Sequence, residues 1–314
     1  GNVLTWGSAT GITHLIEDGS LYVGHDPSST TNSAAFNHSL GVTALDAITT
    51  GDRNIAIGHD ALGVCTTSDQ NIAMGHETLS TLTTQGSKNI AIGNQIGQNI
   101  TSFDAGLTQN VLIGNNISSS IGSQQAFRFC TVVGDAAGRD LNGGDRNTFI
   151  GSSAGYNCDG GDKNTLIGVG AGYGGGGSNF NNNVVGGYNS LSQSNSASGN
   201  VVVGNLAFNN YGDNGEQYNV AIGHSAGGSL NTGEGNIFLG GLTTANGSSS
   251  ENAVVIGYGA RGHGDNIIVL GNVDHTAIHP ADNAGFSTSI FTSNGSSTDL
   301  GSANYSFANA FIKG

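Results

Sequence analysis

GDRNIAIGHDAL (51–62), SDQNIAMGHETL (68–79) and GSKNIAIGNQIG (86–97) are three readings of one sentence: Asn, three residues, then Gly. GDRNTFIGSSAG (144–155), GDKNTLIGVGAG (161–172), EQYNVAIGHSAG (216–227) and GEGNIFLGGLTT (233–244) repeat it. Taking that Gly as the marker gives positions 24, 41, 58, 75, 93, 114, 134, 151, 168, 186, 204, 223, 240, 257 and 271. The steps between markers are mostly 17 to 19 residues, with two longer ones of 21 and 20 and a final one of 14. Helical repeats need more residues than this, and leucine-rich repeats start at about 20, so a short coil with tight corners remains. The sequence therefore predicts an all-β chain, a parallel β-solenoid or β-roll of about 15 rungs with ~17-residue repeats. A two-strand coil is expected for each rung. Residues 1–19 read as a lead-in, 20–272 as the solenoid shaft and 273–314 as a C-terminal stem.

Composition agrees with this class. Gly supplies 54 of 314 residues and Asn 37, against only 2 Pro. Gly and Asn are poor helix formers, and the Gly spacing lacks the three-residue period of collagen. Recurrent β-branched runs argue against disorder. No apolar run is long enough to cross a membrane as a helix, so no membrane insertion is expected. The N-terminus lacks the pattern of a signal peptide and begins with Gly, which reads as a fragment or a processed chain. The net charge of −14 disfavours nucleic acid as a partner. Cys65, Cys130 and Cys158 are scattered and odd in number, which points to buried free thiols.

The repeat Asn is expected at 37, 54, 71, 89, 110, 147, 164, 182, 200, 219 and 236, where it suits a turn and stacked copies form an amide ladder. Cys130 replaces it once, and Asn252 and Asn266 fall one place early. The residue before each marker Gly is apolar, and so is nearly every residue before that, Ser39 excepted. Neighbours in a strand face opposite ways, so both faces of the strand are apolar. One face fills the coil; the other requires self-association, because an apolar stripe along a rod is too large for a lone soluble chain. Ala91 is placed in that inter-chain strip, so that Ala91→Asp is expected to prevent assembly.

Units of the form GxxNIAIGxxAL resemble those of phage tail fibres and tail spikes that carry an endosialidase-type intramolecular chaperone. They are also similar to the head repeats of trimeric autotransporter adhesins, whose coils form a left-handed parallel β-roll. The end of the chain, TDLGSANYSFANAFIKG (298–314), resembles the stem that precedes the chaperone in such fibres. The resemblance implies a homotrimer located in the virion, joined to other tail proteins and recognising bacterial surface polysaccharide or lipopolysaccharide. It also implies autoproteolytic release of a chaperone after Gly314. The alternatives are a bacterial trimeric adhesin head on the cell surface and a tail-spike capsule depolymerase.

Candidate chemistry is sparse. His25, His59, His76 and His224 follow marker glycines, and His59 and His76 fall on neighbouring rungs. Other units carry Asn or Ser there, so an exposed polar corner is expected and no metal. His275 and His279 are the weak metal candidates, since a threefold axis multiplies one ligand by three. Asp52, Asp69, Asp145 and Asp162 all stand two residues before the repeat Asn, which makes them turn residues before they are paired catalytic carboxylates. No catalytic residue, enzyme activity or cofactor is expected. GYGGGGSNF (172–180) lacks the Lys of a phosphate loop and reads as a plain loop. The longer steps enclose loops, and extra residues in a solenoid often gather on the binding side. The aromatic and charged residues in them, Phe103, Asp104, Phe127, Arg128, Tyr211 and Tyr218, with Tyr173 and Phe180 in the glycine loop, are the expected glycan-binding set. The competing role for each aromatic is to cover a coil edge or a subunit seam.

Overall fold

In a computed structural model, described for residues 14–24, 27, 29–84, 86–98, 107–119, 127–174, 180–194, 196–209, 217–274, 301–302 and 305–306, the chain divides into two compact units. The first is Gly1–Val273 and the second Asp274–Gly314. The described part of the second is one small antiparallel pair, Gly301–Ser302 with Tyr305–Ser306.

The first unit contains a 16-stranded sheet whose strands lie in sequence order. β1 (His14–Glu17) and β2 (Ser20–Val23) form an antiparallel hairpin. From β2 onward every pairing is parallel, through β3 (His38–Leu40), β4 (Ile55–Ile57), β5 (Ile72–Met74) and β6 (Ile90–Asn94) up to β16 (Ile268–Leu270). Each strand is one coil beyond the last, so the chain is a parallel β-solenoid. Strands spaced about 4.8 Å apart make a sheet roughly 65–70 Å long.

Most coils have one regular strand, not the expected two. The other side is turns and isolated parallel bridges such as Ser87 to Thr108 to Arg128. Backbone conformation explains this. The second and fourth residues after the marker Gly take positive φ, as at Asp60 (56°) and Leu62 (53°) or Glu77 (52°) and Leu79 (53°). Alternation of this kind turns successive N–H groups in opposite axial directions. The Asp60 N–H donates back to Val42 O, and the Leu62 N–H forward to Thr78 O. Both backbone donors are satisfied without a strand, which offsets left-handed geometry costing about 1–2 kcal/mol per residue.

The marker glycines are required twice over. Gly58 has φ 130°, and a Cβ there would sit 2.4 Å from the carbonyl oxygen of Gly75 in the next coil. The tenth unit corrects the sequence register. Its marker is Gly187, stacked between Gly168 and Gly204, and not Gly186, which is the last residue of its strand.

Inside the coil, the second residue of most strands is buried: Ala56, Ala73, Ala91, Leu112, Val132, Phe149 and Leu166 are 1% exposed or less. Ala91 is thus a core residue of its own coil, and its placement in an inter-chain strip is overturned. The repeat asparagines form the predicted ladder at the edge of this core. The Asn37 Oδ1 accepts the backbone N–H and the side-chain N–H of Asn54 at 2.9 and 3.1 Å, while the Asn54 Nδ2 also donates to Ser68 O at 2.8 Å. Asn71, Asn89 and Asn110 continue the pattern. Cys130 breaks it: its N–H reaches Asn110 Oδ1, but Asn147 N–H meets only Cys130 Sγ at 3.4 Å. A second run climbs from Asn147 to Asn236, through Asn183 and not Asn182. Asn182 takes positive φ (57°) one place earlier in the turn, a result of the register shift at Gly187.

Candidate functional site

Two surfaces of the solenoid are candidates. The first is the outer face of the sheet. The residues flanking each buried strand centre point outward: Ile55 and Ile57, Ile90 and Ile92, Val201 and Val203, Ile237 and Leu239 are all exposed by a third or more. Period-two alternation puts them there, and an apolar residue on both sides of the pleat leaves an oily stripe the length of the sheet. Phe36 and Phe129, also exposed, stand beside it with Arg53 and Arg146 over their rings at 5.7 and 5.5 Å.

The second surface is a corner groove. The second and fifth residues after each marker Gly form its two walls. Thr43, Asp46, Asp60, Glu77, Ser80 and Gln98 line one stretch of about 470 Å³. Gln95, Gln98, Asn116, Ser119, Arg139 and Tyr156 line the next, of about 390 Å³. Bonds between rungs brace the walls. Thr43 Oγ1 donates to Asp60, and the Glu77 carboxylate accepts from Gln95 Nε2 at 3.2 Å and from Gln98 Nε2. Arg139 lies over the Tyr156 ring at 5.2 Å and donates to its hydroxyl. The Tyr156 ring stacks on Tyr173 at 5.0 Å.

The structure scatters the sequence-predicted binding set. Phe103, Asp104 and Tyr211 lie outside the described residues, as do His25, His275, His279 and Gly314. Phe127 and Phe180 are fully buried, so as ligand contacts they are corrected. The cause is volume: regular coils fill this space with Ile48, Leu82 or Leu141 and keep a Gly at the Phe position. A Cβ on Gly86 would meet Leu82 at 2.1 Å, so only one of the two positions holds a large side chain. Phe127 and Phe180, and likewise Leu107, supply the core from the other position. Arg128 is exposed and ion-paired with Asp145 at 2.8 Å, which holds its guanidinium pKa above the ordinary value. Tyr173 is about a third exposed, with one face covered by the Tyr156 ring. Tyr218 lies against Gly199 and, with Glu234, Glu251, Asn252 and Asn266, lines a separate hollow of about 340 Å³.

The groove residues Gln95, Gln98, Asn116, Arg139 and Tyr156 escaped the sequence reading. The available signal was their constant offset from the marker Gly, which places them in two axial rows.

His59 and His76 stack at 5.4 Å, each beside its own neighbouring carboxylate, Asp60 at 3.0 Å and Glu77 at 3.6 Å. Among the described residues no group of three His, Cys, Asp or Glu is placed to hold a metal. The four aspartates act in turns. Asp52, Asp69 and Asp162 accept the backbone N–H of the preceding coil, from Ala35, Asp52 and Asp145, and Asp145 accepts that of Arg128. Burial pushes the thiols of Cys65 and Cys130 up to about 11 and that of Cys158 to about 12, leaving all three protonated and unreactive.

Neither a protein-family model nor any curated protein matches the chain.

Proposed function

We propose that the chain is a segment of a homotrimeric phage tail fibre that contacts a bacterial surface glycan. The observation that carries this reading is the oily stripe on the outer face of the sheet. At two outward residues per strand and about 4.8 Å per rung, its apolar part alone covers on the order of 500 Å². That matches the largest patches tolerated on monomers before the flanking rows are added. With both flanks, the face approaches the ~800 Å² per partner of a stable interface. Parallel copies around a common axis bury one stripe from each and align equal rungs. The number three comes from the resemblance of the repeats and stem to tail fibres. The glycan follows from the polar groove and the acidic surface, which suit hydroxyl-rich ligands and not nucleic acid.

Sedimentation equilibrium on the intact chain tests the reading. The expected particle has three times the 31.5 kDa chain mass. A folded particle of 31.5 kDa overturns it, and a two-chain particle replaces the trimer with a face-to-face dimer.

A further inference from the structure

The two stretches of the corner groove meet at Gln98, whose bond to Glu77 joins the two walls, and together they make a trough past seven successive coils, from Thr43 to Tyr156. At about 4.8 Å per rung its length is roughly 29 Å. Both stretches are open to solvent, a shape that suits a linear polymer lying over the walls and not a compact metabolite, which binds in enclosed clefts.

We infer that this trough binds an extended, uncharged polysaccharide segment bearing hydroxyl and N-acetyl groups, lying parallel to the solenoid axis. The inference rests on the proposal that a surface glycan is what the protein contacts, and it names the site and the glycan class. Charge decides the class. Asp46, Asp60 and Glu77 line one half against a lone Arg139 in the other, on a chain of net charge −14. A polyanion is repelled along the acidic half of the trough. The centre carries the amides of Gln95, Gln98 and Asn116. Each amide offers both donor and acceptor capacity, the complement of an N-acetyl group or a hydroxyl pair.

The bracing described above favours binding. Glu77 fixes both glutamines, and Tyr156 fixes Arg139. Side chains held before the ligand arrives lose little entropy when it does.

Calorimetric titration with three probes tests the inference: a linear β-1,4-linked N-acetylglucosamine hexasaccharide, its disaccharide, and a linear galacturonate hexasaccharide. The neutral hexasaccharide is expected to bind at least about tenfold more tightly than the disaccharide, and the acidic one not to bind. Gln98→Ala and Arg139→Ala, both on the surface, are each expected to weaken the neutral hexasaccharide about tenfold, the loss of one or two good hydrogen bonds. Absence of binding, equal affinity for the short and long probes, preference for the acidic one, or an unchanged Gln98→Ala variant overturns the inference. Sedimentation of the same samples separates the two readings. A three-chain particle that ignores the probes sinks the trough alone, whereas a single-chain particle sinks the fibre and leaves the trough measurable.

Discussion

The outer face of the sheet and the corner groove are built from the same repeat, yet they are opposites. On the sheet face, Ile55, Ile57, Ile90 and Ile92 stand exposed, with apolar side chains and no hydrogen bond to make. In the groove, Asp60, Glu77, Gln95 and Gln98 are half-buried and polar, Asp60 accepting from Thr43 and Glu77 from both glutamines across rungs. Water is a poor solvent for the first surface and a good one for the second. The contrast teaches that a solenoid sorts its work by row: a position in the repeat, not a stretch of chain, is the functional unit.

Adjacent residues of one strand break the comparison most sharply. Ala91→Asp buries a charge inside the coil with no partner, a cost of several kcal/mol, and is expected to abolish the β signal in circular dichroism. Ile92→Asp puts the same charge on the outer face, where it is expected to preserve that signal and reduce the particle to single chains in the ultracentrifuge. Identical behaviour of the two variants would show that the faces are not separate. A smaller effect is expected from the ladder. Asn71→Ala removes the acceptor for two Asn89 donors and the donor to Gly86 O, all buried. A loss of about 2–4 kcal/mol in denaturant unfolding is expected, given roughly 1–3 kcal/mol for each stranded polar group. The smallest effect is a gain. Cys130→Asn joins the two ladder runs and is expected to add about 1 kcal/mol, seen as a later unfolding midpoint. A loss there would mean that the surrounding backbone has adapted to sulfur.

The period made the architecture legible, because a regular Gly that stacks on its own copies leaves a fixed spacing in the chain. The ladder was legible for the same reason, down to its interruption at Cys130. What misled was degeneracy. NNNVVGG (181–187) offers three asparagines and two glycines, so the register slipped by one between Gly186 and Gly187. VVIG and IAIG read as apolar on both sides, which conceals the side that faces inward; Ala91 looks no more internal than Ile92. Phe127 and Phe180 looked like loop aromatics, since the exchange of large side chains between two core positions only shows once Gly86 and Leu82 are seen competing for one space. The groove stayed hidden because successive members of each wall lie 17 or more residues apart in sequence.

The amide ladder also bears on how the chain finds its fold. Every asparagine presents the next coil with the same acceptor in the same place, so each finished rung is a template that any 17-residue unit satisfies equally well. A newly arriving unit that skips one neighbour meets the same ladder acceptor among the equal-length coils between Gly41 and Gly75. Uneven spacing cures this. The sulfur at Cys130 and the coils of unequal length on either side of it act as notches on an otherwise uniform ratchet, fixing the phase from which the rest is counted.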